Sequence, residues 1–246
     1  MNQREQALAR QRLIGRMLSP VCIPLATLLM RFLFRWRLRD TSEHRALYRR
    51  LLSEDSRPLL IAANHLTMAD SALIAWGLGG TIDHMVRYHG LPWNVPEQAR
   101  VESSRLWRVL AYLMKCVPVP RGGDRKVVAD VLKGLRHLME EGEVVLMFPE
   151  GGRSRSGRVD TESVAYGVGR LIKELGDCRV LCVYVRGDQQ KSWSNMPTSG
   201  DTFSFTTRVI EPQTNLRGMR GSREVASQVL AQLVEMEEAH LARQEA

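Results

Sequence analysis

His65 and Asp70 stand five residues apart just after a short apolar run, Leu59-Leu60-Ile61-Ala62-Ala63-Asn64-His65-Leu66-Thr67-Met68-Ala69-Asp70. An alcohol is a poor nucleophile until a base takes its proton, and histidine, with an unperturbed pKa of about 6.5, suits that task at neutral pH. A carboxylate bonded to the other ring nitrogen fixes the tautomer and stabilises the imidazolium as it forms. A second apolar run farther along ends in a charged, glycine-containing loop, Val144-Val145-Leu146-Met147-Phe148-Pro149-Glu150-Gly151-Gly152-Arg153-Ser154. A braced base together with a separate anion-handling loop points to acyl transfer onto a hydroxyl. No separate nucleophile is evident. The nearest approach to a nucleophile elbow, Gly152-Arg153-Ser154-Arg155-Ser156, lacks the closing glycine, so direct attack by a substrate hydroxyl is the simplest arrangement.

As a bare pattern the His-x4-Asp spacing is weak, and its surroundings give it weight. Leu59 to Ala63 are five apolar residues preceded by Pro58, which predicts a buried strand. From Asp70 the residues read as a short helix, stopped by Gly77 and Gly79-Gly80. His65 therefore falls in a strand-to-helix connection, and Asp70 in the first helical turn, where it can fold back toward the imidazole.

Three ordered blocks, Asn64-His65-x4-Asp70, Pro118-Val119-Pro120-Arg121-Gly122 and Phe148-Pro149-Glu150-Gly151-Gly152-Arg153-Ser154, resemble those of the glycerophospholipid acyltransferases. The resemblance spans about residues 58–187. It implies transfer of a fatty acyl group from a coenzyme A or acyl-carrier-protein thioester to a hydroxyl of a lysophospholipid such as 1-acylglycerol 3-phosphate. His65 becomes the general base, Asp70 its partner, and Arg121 the ligand of the acceptor phosphate. Glu150, Gly151, Gly152, Arg153 and Ser154 become the acceptor pocket. An arginine fork suits phosphate oxygens, and glycines let backbone N–H groups approach an anion. No metal or cofactor is implied beyond the thioester donor.

Three departures bear on the acceptor. Gly152 stands where lysophosphatidate enzymes usually carry threonine, and residues 151–158 look more like the glycerol-3-phosphate branch. The fourth block, Val180-Leu181-Cys182-Val183-Tyr184-Val185-Arg186-Gly187, lacks the usual proline. An unusual segment, Tyr88-His89-Gly90-Leu91-Pro92-Trp93-Asn94-Val95-Pro96-Glu97, lies between the first two blocks. Another specialised lipid hydroxyl is an open alternative, and so is a peripheral lipid-binding protein that keeps the fold without turnover.

The chain has 246 residues, enough for one substantial core. Its formal charge of +8 resides entirely in residues 1–50, which hold eleven arginines and three acids. The same segment holds the longest uncharged apolar stretch, residues 17–30, broken by Pro20 and Pro24 and short of the roughly 20 residues a spanning helix needs. Arginines interleaved with Phe32, Phe34 and Trp36 follow, which suits a helix or helix pair lying in the headgroup region of an anionic leaflet. A helical cap packed on the domain is the competing reading. The resulting expectation is a basic N-terminal helical segment at the membrane interface, residues 1–50, and an acyltransferase domain, residues 51–246. The protein is expected on the cytoplasmic face of a membrane, peripheral or monotopic, with membrane lipids and the acyl donor as partners and no nucleic acid.

Four scattered cysteines without Cys-x-x-Cys spacing argue against a zinc site or disulfide framework. The remaining chain alternates helix and strand. Helical periodicity runs from Val127 to Met139, strands are expected over residues 143–148, 179–185 and 202–210, and helices over residues 168–175 and 222–243. This predicts an α/β fold, a central mixed β-sheet flanked by helices with catalytic loops at one sheet edge; the family resemblance adds an N-terminal helical pair beside it. Plain alternatives attend each site residue: a capping histidine for His65, a turn arginine for Arg121, a surface acid for Glu150. Arg155 and Arg158 read as solvated, and Trp93 and Trp107 as packing residues.

Overall fold

A computed structural model describes residues 3–120, 122, 124–161, 164 and 166–245. The chain opens with α1 (Gln3–Leu28), prolonged by a π-helical turn (Leu29–Leu33), then β1 (Arg37–Leu38) and α2 (Ser42–Ser53). Next come β2 (Leu59–Ala63), α3 (Asp70–Leu78), α4 (Thr81–Val86) and β3 (Trp93–Asn94). They are followed by α5 (Gln98–Glu102), α6 (Arg105–Leu113), α7 (Arg125–Glu140) and β4 (Val145–Met147). The chain closes with α8 (Tyr166–Leu175), β5 (Arg179–Gly187), β6 (Thr202–Ile210) and α9 (Gly218–Glu245).

Six strands form one mixed sheet in the order β1-β6-β5-β2-β4-β3. Neighbouring strands are parallel except β5 and β6, which are antiparallel. β2 lies at the centre, hydrogen-bonded to β4 and β5, and is buried on both faces. Its alternation sends Leu60 and Ala62 into one core layer and Leu59, Ile61 and Ala63 into the other. α7, α8 and α9 cover the first layer, where Leu135, Val168, Leu171 and Leu233 are fully buried. α2, α3 and the segment around Trp36 cover the second, with Tyr48, Leu73 and Ile74. Each such side chain withdrawn from water contributes about 1.5–3 kcal/mol. The closest helix approach lies between α8 and α9: a Cβ on Gly169 would meet the Ser222 carbonyl oxygen at 1.9 Å.

Residues 1–50 hold α1 and most of α2, and α1 with its π turn is one continuous helix that runs through both prolines. Pro20 cannot donate to the Arg16 carbonyl, and the Ser19 hydroxyl does so instead at 2.8 Å. One face of α1 packs on the domain, with Gln11 donating to the carbonyls of Tyr112 and Cys116 and Arg4 paired with Asp130. The opposite face is apolar and exposed, including Met17, Val21, Leu25 and Phe32. The expected strand at residues 143–148 is shorter because Glu143 and Val144 serve the edge segment instead. The Val144 carbonyl accepts from Trp93 N, and the Glu143 carboxylate takes part in a buried ion pair.

That ion pair anchors the unusual segment. Lys115, fully buried, donates through Nζ to Glu143 at 2.5 Å and to the carbonyls of Leu91 at 2.6 Å and Tyr88 at 3.1 Å. Trp93 Nε1 donates to the same carboxylate at 2.7 Å. Removing the cation would leave the buried Glu143 with only the Trp93 N–H and the longer Arg12 contact at 3.8 Å. Lys115→Met is expected to lower unfolding free energy by about 3–5 kcal/mol in denaturant titrations.

Candidate active site

The site forms where the chain leaves β2 and β4, at their carboxyl ends, a place where α/β sheets commonly open a crevice. Asn64 first locks the end of β2 to β5: its amide donates to the Val185 carbonyl at 2.9 Å and accepts from Val185 N at 2.8 Å. The next six residues turn around one carboxylate. Asp70 Oδ2 accepts from Leu66 N at 2.6 Å and Thr67 N at 2.8 Å, and Oδ1 accepts from the Thr67 hydroxyl at 2.5 Å. His65 Nδ1 completes the set at 3.0 Å from Oδ2. Asp70 is 3 % exposed and opens α3, where the helix dipole favours an anion.

This arrangement defines the imidazole. With the carboxylate as acceptor, Nδ1 carries the ring proton and Nε2 presents its lone pair. Nε2 has no hydrogen-bond partner among the described residues, and the side chain is 20 % exposed. Phe148, the first residue beyond β4, stacks on the ring with centroids 4.0 Å apart and planes at 15°. The ring is thus gripped at one nitrogen and on one face, with Nε2 free of a hydrogen-bond partner among the described residues.

The second loop is tied to the first through the backbone of His65. Glu150 is buried; Oε1 accepts from His65 N at 2.8 Å and Oε2 from Asp160 N at 2.9 Å. In return the His65 carbonyl accepts from Ser154 N at 2.9 Å. Burial pushes the Glu150 carboxyl up to about 7 against the two amide bonds, which favour the charged form. The Ser154 hydroxyl turns inward to the Arg158 carbonyl. Gly151 begins the loop at a φ of 66°, and its N–H donates to the Phe148 carbonyl at 3.0 Å. Gly152 is half-buried beside it. Arg153 reaches across to Asn195 Oδ1 at 2.8 Å and the Ser194 carbonyl at 3.1 Å, over the Trp193 ring. That segment also pairs with the His65 loop, through Ser194 N to the Leu66 carbonyl and Met68 N to the Asn195 carbonyl, each at 3.1 Å.

The structure therefore brings together His65, Asp70, Glu150 and Ser154, with Arg153 across the 194–195 segment from the His65 loop. Arg121 lies outside the described residues; the chain just before it runs beside residues 94–97, with Val119 N donating to the Pro96 carbonyl. Arg158 is exposed, as expected, and in addition pairs with the buried Glu237 at 2.9 Å.

Several participants escaped the sequence reading. Glu237 on α9 is buried and accepts from Val159 N, Arg158 and Tyr184, fixing the loop after Glu150. Its only local signal is an acid on the apolar stripe of Leu230 and Leu233. Gly157 has a φ of 73°, and a Cβ there would meet the Lys191 carbonyl oxygen at 2.6 Å. Thr67 and Phe148 stood within the quoted blocks without an assigned role. Among the described residues, no group of three or more His, Cys, Asp or Glu could hold a metal ion.

A family model described as Acyltransferase matches residues 42–186, well over half of the chain. The match takes in His65, Asp70 and the 148–154 loop. Among curated proteins, none matches the chain.

Glu150 generates a pH-dependent expectation. Its folded value of about 7 lies above its ordinary 4.5, so its neutral form favours the folded state and that contribution is lost as pH rises through about 7. Glu150→Gln cannot accept both amides and should cost about 1–3 kcal/mol at low pH. The difference in melting temperature between the two proteins is expected to narrow from about pH 5 to about pH 8, because only the wild type must then charge a buried group.

Proposed function

The chain belongs to the acyltransferase family, and on that premise we propose that it moves a fatty acyl group onto the hydroxyl of a lysophospholipid such as 1-acylglycerol 3-phosphate. The donor is an acyl thioester of coenzyme A or of an acyl-carrier protein. The observation that carries this reading is the His65 Nδ1 contact with Asp70, which leaves Nε2 unbonded and partly exposed.

In this mechanism Nε2 takes the acceptor hydroxyl proton as the oxygen attacks the thioester carbonyl. Asp70 stabilises the imidazolium, and Phe148 keeps the ring from rotating. When the tetrahedral intermediate collapses, the new C–O bond stays, the C–S bond breaks, and the proton passes from Nε2 to the departing thiolate. Arg153 with the backbone N–H of Gly152 meets the acceptor phosphate, joined by Arg121, while Gly151 turns the loop toward it. Glu150 and Ser154 serve by holding the two loops in register.

The acceptor must be reached from a bilayer. α1 with its π turn forms an apolar N-terminal helix of 31 residues, over an 18-residue stretch of which the mean hydropathy is 1.7. It packs beside α4 and α6, whose Ile82, Val86, Leu106 and Val109 are also exposed. We read this apolar face and the basic residues 1–50 as an interfacial mount on the cytoplasmic side, peripheral or monotopic. Glycerol 3-phosphate is the second reading for the acceptor, favoured by Gly152 in place of threonine.

His65→Ala is expected to abolish acyl transfer with an unchanged circular dichroism spectrum, in an acceptor screen with labelled acyl thioesters read by lipid mass spectrometry. Wild-type-like turnover by that variant would end the proposal. Asp70→Asn should lower kcat on the order of 10²–10⁴-fold, since it misplaces the ring proton.

A further inference from the structure

A second cavity lies away from His65. An open space of about 770 Å³ lies at the far end of α3, between that helix end, the π turn and β1. It shares no lining residue with the site above. Arg31, Arg35, Arg37 and Arg45 line it, with Thr27 and Thr81, and no carboxylate does. Arg45 is anchored, donating to the Trp76 carbonyl at 2.8 Å and the Gly77 carbonyl at 3.3 Å. Among the described residues, the guanidinium groups of Arg31, Arg35 and Arg37 have neither a hydrogen bond nor an ion pair. Several other surface arginines are paired with acids, as in Arg39 with Asp188, Arg57 with Asp55 and Arg136 with Glu140.

The backbone holds these groups apart at a cost. Arg35 has a φ of 59°, a conformation L side chains rarely adopt. It is maintained because its neighbours are pinned inward. Phe34 and Trp36 stack at 4.6 Å, Trp36 Nε1 donates to the Thr198 carbonyl, and Gly200 N donates to the Phe34 carbonyl. Four like charges line the concavity, of which Arg45 alone lies near a carboxylate, that of Asp83; the remaining positive potential is one that an anion offsets, and guanidinium forks suit phosphate oxygens.

Position identifies the source of the anion. The exposed residues Met17, Val21, Leu25, Leu28 and Phe32 share one stripe of α1, about 22 Å long at helical rise. Phe32, the last of them, itself lines the cavity. A lipid whose chains lie along this stripe brings its phosphate to the arginines. We propose that this cavity is a binding site for the phosphate of an anionic membrane lipid, separate from the acyl-transfer site. The proposal rests on α1 lying on a bilayer, and not on the reaction.

The test is binding of the full chain to vesicles of phosphatidylcholine with or without about 20 % phosphatidic acid, comparing wild type, Arg35→Gln/Arg37→Gln and the exposed control pair Arg49→Gln/Arg50→Gln. Each basic residue near an anionic surface contributes a factor of about five. The first pair is expected to weaken binding to anionic vesicles about tenfold more than the control pair, to leave binding to neutral vesicles unchanged, and to keep wild-type transfer on detergent-dispersed substrate. Equal loss in both pairs would mean diffuse charge attraction and would overturn the site. Binding of inorganic phosphate as tight as that of vesicles would assign the cavity to a soluble ligand and also overturn it. No binding to any vesicle would remove the bilayer premise and the proposal with it, while leaving acyl transfer by His65 to its own assay.

Discussion

One buried carboxylate organises the centre of this molecule. Asp70 receives donors from Leu66 N, Thr67 N, the Thr67 hydroxyl and His65 Nδ1, all within six residues of chain. A carboxylate removed from water must replace its lost hydration with bonds of this number and quality. The chain has little freedom in how to supply them. The turn between β2 and α3 therefore takes one shape, and the imidazole is aimed by the same bonds that keep the anion buried. Stability of the loop and alignment of the imidazole are a single constraint.

The second loop is held by the same device at longer range. Glu150 and Glu237 are buried acids whose oxygens are occupied by backbone N–H groups from distant segments. Each converts a loose glycine-containing loop into a fixed wall. The cost shows in Glu150, whose burial raises its titration toward neutrality. Such strain belongs at a site where geometry matters more than maximal stability.

The N-terminal segment combines the two readings its composition allows. One face packs on the domain through Gln11 and Arg4, as a helical cap would. The other presents an apolar row to the outside, ending at the arginine-lined cavity. Packing and exposure occupy opposite sides of one helix, which continues past Pro20 with the Ser19 hydroxyl taking up the Arg16 carbonyl.

The strands Leu59–Ala63 and Thr202–Ile210 were legible to the residue, because an apolar run before a polar turn and a period-two pattern are local signals. The spacing of His65 and Asp70 and the Glu150 loop were legible for the same reason, each being compact in the chain. β1 and β3, two residues each, carry no period to read. Sequence by itself determined which residues could do chemistry and that helices alternate with strands, since those depend on side-chain type and near neighbours. Only the tertiary structure decided that Glu150 ties two loops through the His65 backbone, that Glu237 steadies them from α9, and that four arginines line a cavity to which no acid contributes. Those arrangements join groups scores of residues apart, and no local pattern encodes which distant partner will satisfy a buried charge.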